Sequence, residues 1–406
     1  MSVLEELKRK LGINRAVLAL SVARLGDGIG NSILIIVIPL YVARLPSPWF
    51  HLPQSVLVGL LIAAFGLVNT AAQPLAGTLS DRTGRRKAFI VWGLVIMGAA
   101  TLAFIPATRY RDLLLIRALQ GIGFACTIPA SMAIMTAVTE RATRGGSMGV
   151  FTTFRMIGFA IGPLLGGLVL VHLGFEAAFL VGAGFLAAGI VAVQLWVEDP
   201  PREEDEAAGR TTAFFDRSLL TPGLLSLGGA TFVMAATIAM MSTLENEFNA
   251  RLAQTALGFG VAFSALTVSR LLFQVPLGSL SDRIGRKPVI IAGLVLLMPT
   301  TALLGLVGST LQLTAVRLAQ GVASAGVAAP AFALAGDVSV AGGEGRQLSI
   351  LTMGFGLGIA VGPLLAGFLA VVSFEAPFLI GGGLALVAAW IVYLYAPETS
   401  GENANA

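Results

Sequence analysis

One cysteine, two histidines and few charged groups serve a chain of 406 residues. With Cys126 alone no intrachain disulfide can form, and the isolated His51 and His172 offer no metal site. The chain has no His-Glu-x-x-His and no clustered metal ligands, so it lacks the common metal-dependent enzymatic constellations. It also lacks a Gly-x-x-x-x-Gly-Lys-Ser/Thr loop, which leaves ATP no place to bind; Gly26-x-Gly28-x-x-Asn31 is a weak glycine match within an apolar run. Charged residues make up 12% of the chain and apolar ones 56%, whereas soluble domains carry charge on roughly a quarter of their residues. That deficit excludes ordinary soluble usage and calls for a surface that faces lipid.

What the chain does have is apolar runs of about 20 residues, each long enough to cross a hydrocarbon core of roughly 30 Å. Twelve are expected, over 15–43, 55–78, 88–107, 112–137, 148–171, 177–197, 219–248, 255–279, 288–308, 311–336, 347–371 and 375–396. The first is too long for a signal-peptide core and has no plausible cleavage site, so it reads as a retained helix. With the N-terminus inside, 17 of the 26 basic residues fall on inner segments and four (Arg44, Arg109, Arg111 and Arg251) on outer ones. This bias places both termini in the cytoplasm and gives the formal charge of +4 a topogenic role, with no need of nucleic acid.

A polar stretch with the acidic run Glu203 to Glu206 separates six runs from six. The expected organisation is a first bundle over 1–197, a cytoplasmic linker over 198–218 and a second bundle over 219–406. Across the linker the chain repeats itself at a spacing near 200. Gly77-Thr-Leu-Ser-Asp81-Arg82-Thr-Gly84-Arg85 returns as Gly278-Ser-Leu-Ser-Asp282-Arg283-Ile-Gly285-Arg286, and Arg117-Ala-Leu-Gln120-Gly121 returns as Arg317-Leu-Ala-Gln320-Gly321. Gly162-Pro163-Leu-Leu-Gly166-Gly167 returns as Gly362-Pro363-Leu-Leu-Ala366-Gly367, and Phe175-Glu176-Ala177 as Phe374-Glu375-Ala376. Two six-helix halves in the same orientation are one of the recurring transporter architectures, with the substrate site near the midplane.

On these blocks the chain resembles the major facilitator superfamily over essentially its whole length. Gly77 to Lys87 is similar to the Gly-x-Leu-x-Asp-Arg-x-Gly-Arg-Arg loop between helices 2 and 3, and Asp282 with Arg283 belongs to its second copy. Arg117-x-x-Gln120-Gly121 resembles the helix 4 motif of proton-coupled members, and Gly158-x-x-x-Gly162-Pro163-x-x-Gly166-Gly167 that of drug:proton antiporters. The resemblance implies an all-α membrane protein, twelve transmembrane helices in two pseudo-symmetric six-helix bundles. It implies a secondary transporter without cofactor: a proton-coupled antiporter exporting drugs or small amphipathic metabolites by alternating access. Import of a nutrient or organic ion and translocation of a lipid or glycolipid stay open. The expected partners are a small amphipathic molecule, protons and the bilayer. The expected state is a monomer in a prokaryotic cytoplasmic membrane.

Residue chemistry marks the candidates. Gly84 permits a tight turn, Arg85 and its basic neighbours can meet anionic headgroups, and the resemblance makes Asp81 part of a latch with Glu140, Arg141 and Arg144 as candidate partners. Glycines 158, 162 and 166 share one helix face with Pro163 at a bend, which suits either a moving seal between halves or plain packing. Arg24, Asp27, Arg117, Arg155, Glu245, Arg270 and Arg317 lie within apolar runs, where a lipid-facing charge costs about 2.5–3.5 kcal/mol, so they must face a cavity or each other. Asp27 sits near mid-depth with Arg24 three residues away; with Arg24 or Arg117 as a movable partner it is a proton carrier, and with Arg24 as a fixed one it is only a buried pair. Arg24, Asn31, Glu245, Arg270 and Arg317 are the expected cavity residues. Phe151, Phe154, Met156, Met234, Met240 and Met241 either line a soft pocket or pack.

Overall fold

The computed structural model describes residues 12–45, 52–140, 143–199, 221–338 and 344–397, the side chains of 344–347 excepted. Every element among them is helical. In chain order these are α1 (Arg15–Val42), α2 (Gln54–Thr83), α3 (Arg86–Ala103), α4 (Tyr110–Val138) and a 53-residue helical stretch, Arg144–Trp196. After residue 221 come α7 (Pro222–Met240), α8 (Ala256–Ile284), α9 (Arg286–Ala302), α10 (Thr310–Asp337), α11 (Glu344–Leu369) and α12 (Ala376–Tyr395).

Eleven of these stretches are long and apolar enough to cross a membrane. The 53-residue one would reach about 80 Å at 1.5 Å per residue, more than twice the hydrocarbon thickness. It is interrupted at Gly174, whose φ of 84° and ψ of −175° fall outside the helical region. It is therefore two crossings, α5 (144–173) and α6 (175–196), and the total is twelve. A positive φ here is open to glycine at little cost, which is why the turn needs no loop at all. Large apolar side chains such as Leu75, Trp92, Val275 and Trp390 stand well exposed on these helices, as a lipid-facing surface requires.

By contacts the described residues fall into two compact units: those up to 49 with 67–212, and those of 50–66 with 213 onward. In the first, α1 is held between α5 and α6. Gly26, Gly28 and Gly30 make this possible: a Cβ at Gly28 would lie 2.9 Å from the Arg155 carbonyl, one at Gly30 2.9 Å from the Gly182 carbonyl, and one at Gly26 would strike that of Phe185. The start of α1 is capped by Asn14, which accepts from Val17 N at 2.8 Å and donates to Val138 O at 2.8 Å, tying it to the end of α4. In the second unit α11 lies equally close to α7, with Gly354, Gly358 and Gly362 against Gly228, Phe232 and Ala236. The 54–66 part of α2 packs on the opposite side of α11, where Ser55 Oγ donates to Gly367 O at 3.1 Å.

Two expectations need correction. The run expected over 219–248 does not continue as one helix: α7 ends at Met240, a 3-10 turn covers Met241–Leu244, and a short helix covers Glu245–Arg251. Asp81 and Arg82, expected between helices, are in the helical end of α2, and Asp282 and Arg283 likewise belong to α8. The turn itself is confined to Gly84 (φ 68°) with Arg85 in the first unit and to Gly285 (φ 99°) in the second.

Candidate functional site

In the first unit the polar centre is built on α1. Asp27, the thirteenth residue of a 28-residue helix, is 2% exposed, and Arg24 is 6% exposed. Arg24 Nη1 donates to Asp27 Oδ2 at 2.6 Å. Asp27 Oδ1 and Arg24 Nε have no hydrogen-bond partner among the described residues. A second cation, Arg155 of α5, lies within electrostatic reach of Asp27. Phe124 of α4 is shared by the two guanidiniums, 5.2 Å from Arg24 and 5.6 Å from Arg155, while Phe151 and Phe159 cover their other sides. Facing the pair is a small pocket between α1, α3 and α4, lined by Ile90, Leu94, Thr127 and Ser131 as well as Arg24 and Asp27. Asn31, one turn on from Asp27, is buried.

This assigns partners that sequence alone left open. Asp27 pairs with Arg24, whereas Arg117 donates through Nη1 to Gln120 Oε1 at 3.0 Å, and Gln120 Nε2 donates to Thr101 Oγ1 at 2.9 Å. The second unit repeats the relay: Arg317 to Gln320 at 2.7 Å and Gln320 to Thr301 at 3.1 Å, with Arg317 also donating to Ile238 O at 3.3 Å. Arg317 is fully buried under Phe263, and Arg270 is half-buried over Phe355. Glu245 is 0% exposed at the start of the short helix after α7. Met234, Met240, Met241 and Phe151 are fully buried packing residues, and Phe154 and Met156 are half-buried.

The glycine face of α5, for which the sequence leaves a seal and plain packing both open, packs on α1. Gly158, Gly162 and Gly166 meet α1 of the same unit: a Cβ at Gly158 would lie 2.7 Å from Leu25 O, and one at Gly166 3.2 Å from Ile33 Cα. Ser32 Oγ donates to Gly158 O across this contact at 3.2 Å. The face is therefore occupied by packing inside one unit. Gly167 beside it and Gly121 on α4 are buried, and Pro163 lies within the helix.

Beside the turn between α2 and α3, Asp81 meets Arg86 at 3.4 Å, and the repeat has Arg286 between Asp282 at 3.5 Å and Asp337 at 3.0 Å. Gly77 lets α2 approach Pro129 of α4, where a Cβ would be 3.3 Å away. Arg82, Arg85 and Arg283 are exposed. Arg144 turns back to the end of α4, donating to Thr136 O at 2.9 Å; Glu140 is exposed, and Arg141 lies outside the described residues. Asp199, unremarked in the sequence, accepts from Lys87 N at 2.6 Å and so caps α3 from the end of α6. The Phe-Glu-Ala repeat is a helix-end clamp: Arg44 lies 4.3 Å over Phe175, and Arg251 lies 3.9 Å over Phe374 while bonding Glu375 at 2.8 Å. Among the described residues no group of three or more His, Cys, Asp or Glu is placed to hold a metal.

Twelve apolar helices, an internal repeat that returns the same side-chain contacts in each unit, and buried charges at mid-helix define a multi-pass membrane protein of the transporter class. The family model described as Major Facilitator Superfamily matches residues 20–255 and 223–406, and the chain belongs to that superfamily, whose members are transporters and not enzymes. It is 28% identical over 333 residues to the synaptic vesicular amine transporter of Bos taurus, a match covering 79% of this chain and 62% of that one. It is 30% identical over 304 residues to the multidrug resistance protein MdtG of Yersinia enterocolitica, covering 72% of each. Among solved structures it shares its fold with a bacterial homolog of the human lysosomal transporter Spinster (TM-score 0.75, 16% identity, 93% of this chain and 95% of that one). The nucleoside transporter NupG has the same fold (TM-score 0.74, 14% identity, 93% and 98%).

Proposed function

We propose that the protein is a secondary active transporter working by alternating access, a proton-coupled antiporter that exports drugs or small amphipathic metabolites. The observation that carries this reading is the buried Arg24–Asp27 pair at the middle of α1, beside a pocket and within reach of Arg155. A carboxylate held by one arginine binds a proton when that arginine is drawn away and releases it when the arginine returns. Substrate and proton then compete for the same region, as antiport requires. Arg117, held by Gln120, and Asn31 complete the polar groups of the first unit in this reading, and Asp81 with its basic neighbours forms the cytoplasmic latch. The resemblance of the α5 motif to that of drug:proton antiporters, and the multidrug resistance protein among the relatives, support export. The bias of basic residues supports cytoplasmic termini, and a monomer in a prokaryotic plasma membrane belongs to the same reading.

Proteoliposomes with an imposed pH gradient, an internal pH dye and ethidium as probe test this. The parent protein should move ethidium against protons, and Asp27→Asn should abolish gradient-driven accumulation while leaving passive exchange. Unchanged proton movement in Asp27→Asn would place the coupling elsewhere. Ethidium movement by the parent that ignores the gradient would remove the antiport reading.

A further inference from the structure

Glu245 stands apart from every other charged group within the membrane spans. It is 0% exposed, and neither of its carboxyl oxygens has a hydrogen-bond partner among the described residues. Asn249, one turn on, is its polar neighbour but makes no hydrogen bond of proper geometry to it. The charges on the elements around it are directed elsewhere. On its own short helix, Glu247 is another acid and Arg251 is bonded to Glu375 of the α12 start. On α8, Arg270 lies over Phe355, and Asp282 and Arg283 are at the far end. On α10, Arg317 is held by Gln320 and Ile238 O. The described side chains of α11 and of 52–66 are uncharged.

A carboxylate in such a place forfeits its hydration with no cation in return, so the neutral acid is far less costly. Beside it the helix is already interrupted: residues 241–244 form a 3-10 turn, and Thr243 Oγ1 donates to Pro363 O of α11 at 3.0 Å, fixing the turn to a neighbouring helix bend. A short 3-10 segment in a long helix is a place where the backbone can change its hydrogen bonding at small cost.

We propose that Glu245 is a second proton-binding site of this transporter, distinct from Asp27. It carries its proton in the buried position described here and releases it when the interruption after α7 rearranges to admit water. Its part in coupling rests on the antiport reading above; its protonation does not.

Infrared difference spectroscopy of the purified protein, titrated from neutral to alkaline pH in H2O and D2O, reads the carbonyl band of a neutral carboxyl in a dry site. The band should be present in the parent and in Asp27→Asn and absent in Glu245→Gln. Its persistence in Glu245→Gln would overturn the proposal. Should Glu245→Gln fold poorly, labelling the parent with dicyclohexylcarbodiimide, which attacks neutral buried carboxyls, gives the same answer: modification should map to Glu245 at neutral pH and fall at alkaline pH. Absence of label there would also overturn it. Proteoliposome assays separate the two readings. If Glu245→Gln loses the band yet keeps the parental proton-to-ethidium ratio, the coupling role falls and antiport stands; if the parent shows the band but no proton movement, antiport falls and the protonated site stands.

Discussion

Arg24 and Asp27 are joined by a 2.6 Å hydrogen bond across one turn of the same helix, with both side chains almost wholly removed from solvent. Breaking a buried pair by removing one partner leaves the other charge uncompensated, at a cost of about 3–5 kcal/mol, whereas removing both leaves no orphan. Asp27→Asn should therefore lower the melting temperature in detergent, and the double variant Arg24→Gln with Asp27→Asn should recover part of the loss. Arg155 beside the site adds to the penalty of the single variant, because a further cation loses its carboxylate. A double variant less stable than either single one would show that the pair acts through packing and not through charge.

The contact between α1 and α5 leaves no room for a side chain at Gly162, where a Cβ would strike Ser32 Oγ and lie 2.9 Å from Ile29 O. Forcing extra atoms into packed interiors costs typically about 1–3 kcal/mol. Gly162→Val should sharply reduce the yield of monodisperse protein and its melting temperature, while Gly184→Ala, with open space around it, should change neither. Equal behaviour of the two in a thermal melt would contradict the packing described here.

The twelve crossings were legible in the sequence because lipid demands long apolar runs, and the depth of Asp27 followed from counting along α1. The Arg24–Asp27 pair was legible too, since three residues apart share a helix face. What could not be read were contacts set by the approach of separate helices. Arg155 reaches the Asp27 cluster from α5, Thr101 meets Gln120 across the α3–α4 hairpin, and Asp199 caps α3 from 112 residues downstream. The α5 glycine face showed its shape but not its partner, because small residues at that spacing fit any close helix. The break after α7 carries no local sign: Met241-Ser-Thr-Leu244 contains neither glycine nor proline.

At the start of α12, Glu375 and Arg251 give a pH dependence whose sign follows from the structure. The Glu375 carboxyl is held below the usual carboxylate range, first by the hydrogen bond from its own backbone and then by that of the Arg251 guanidinium, with a Ser373 contact adding to it. The folded protein thus binds fewer protons than the unfolded chain near the ordinary glutamate value of about 4.3. The stabilisation is fully present above that value and is lost as pH falls through the lower, folded one. Both side chains are substantially exposed, so the effect is small and weakened by salt. Glu375→Gln should melt below the parent at neutral pH and low salt, and the two curves should converge near pH ~3 or in about 1 M salt. A difference that stays constant across that pH range would mean that Glu375 acts through its contacts as an uncharged group, leaving Arg251 over Phe374 as the source of the clamp.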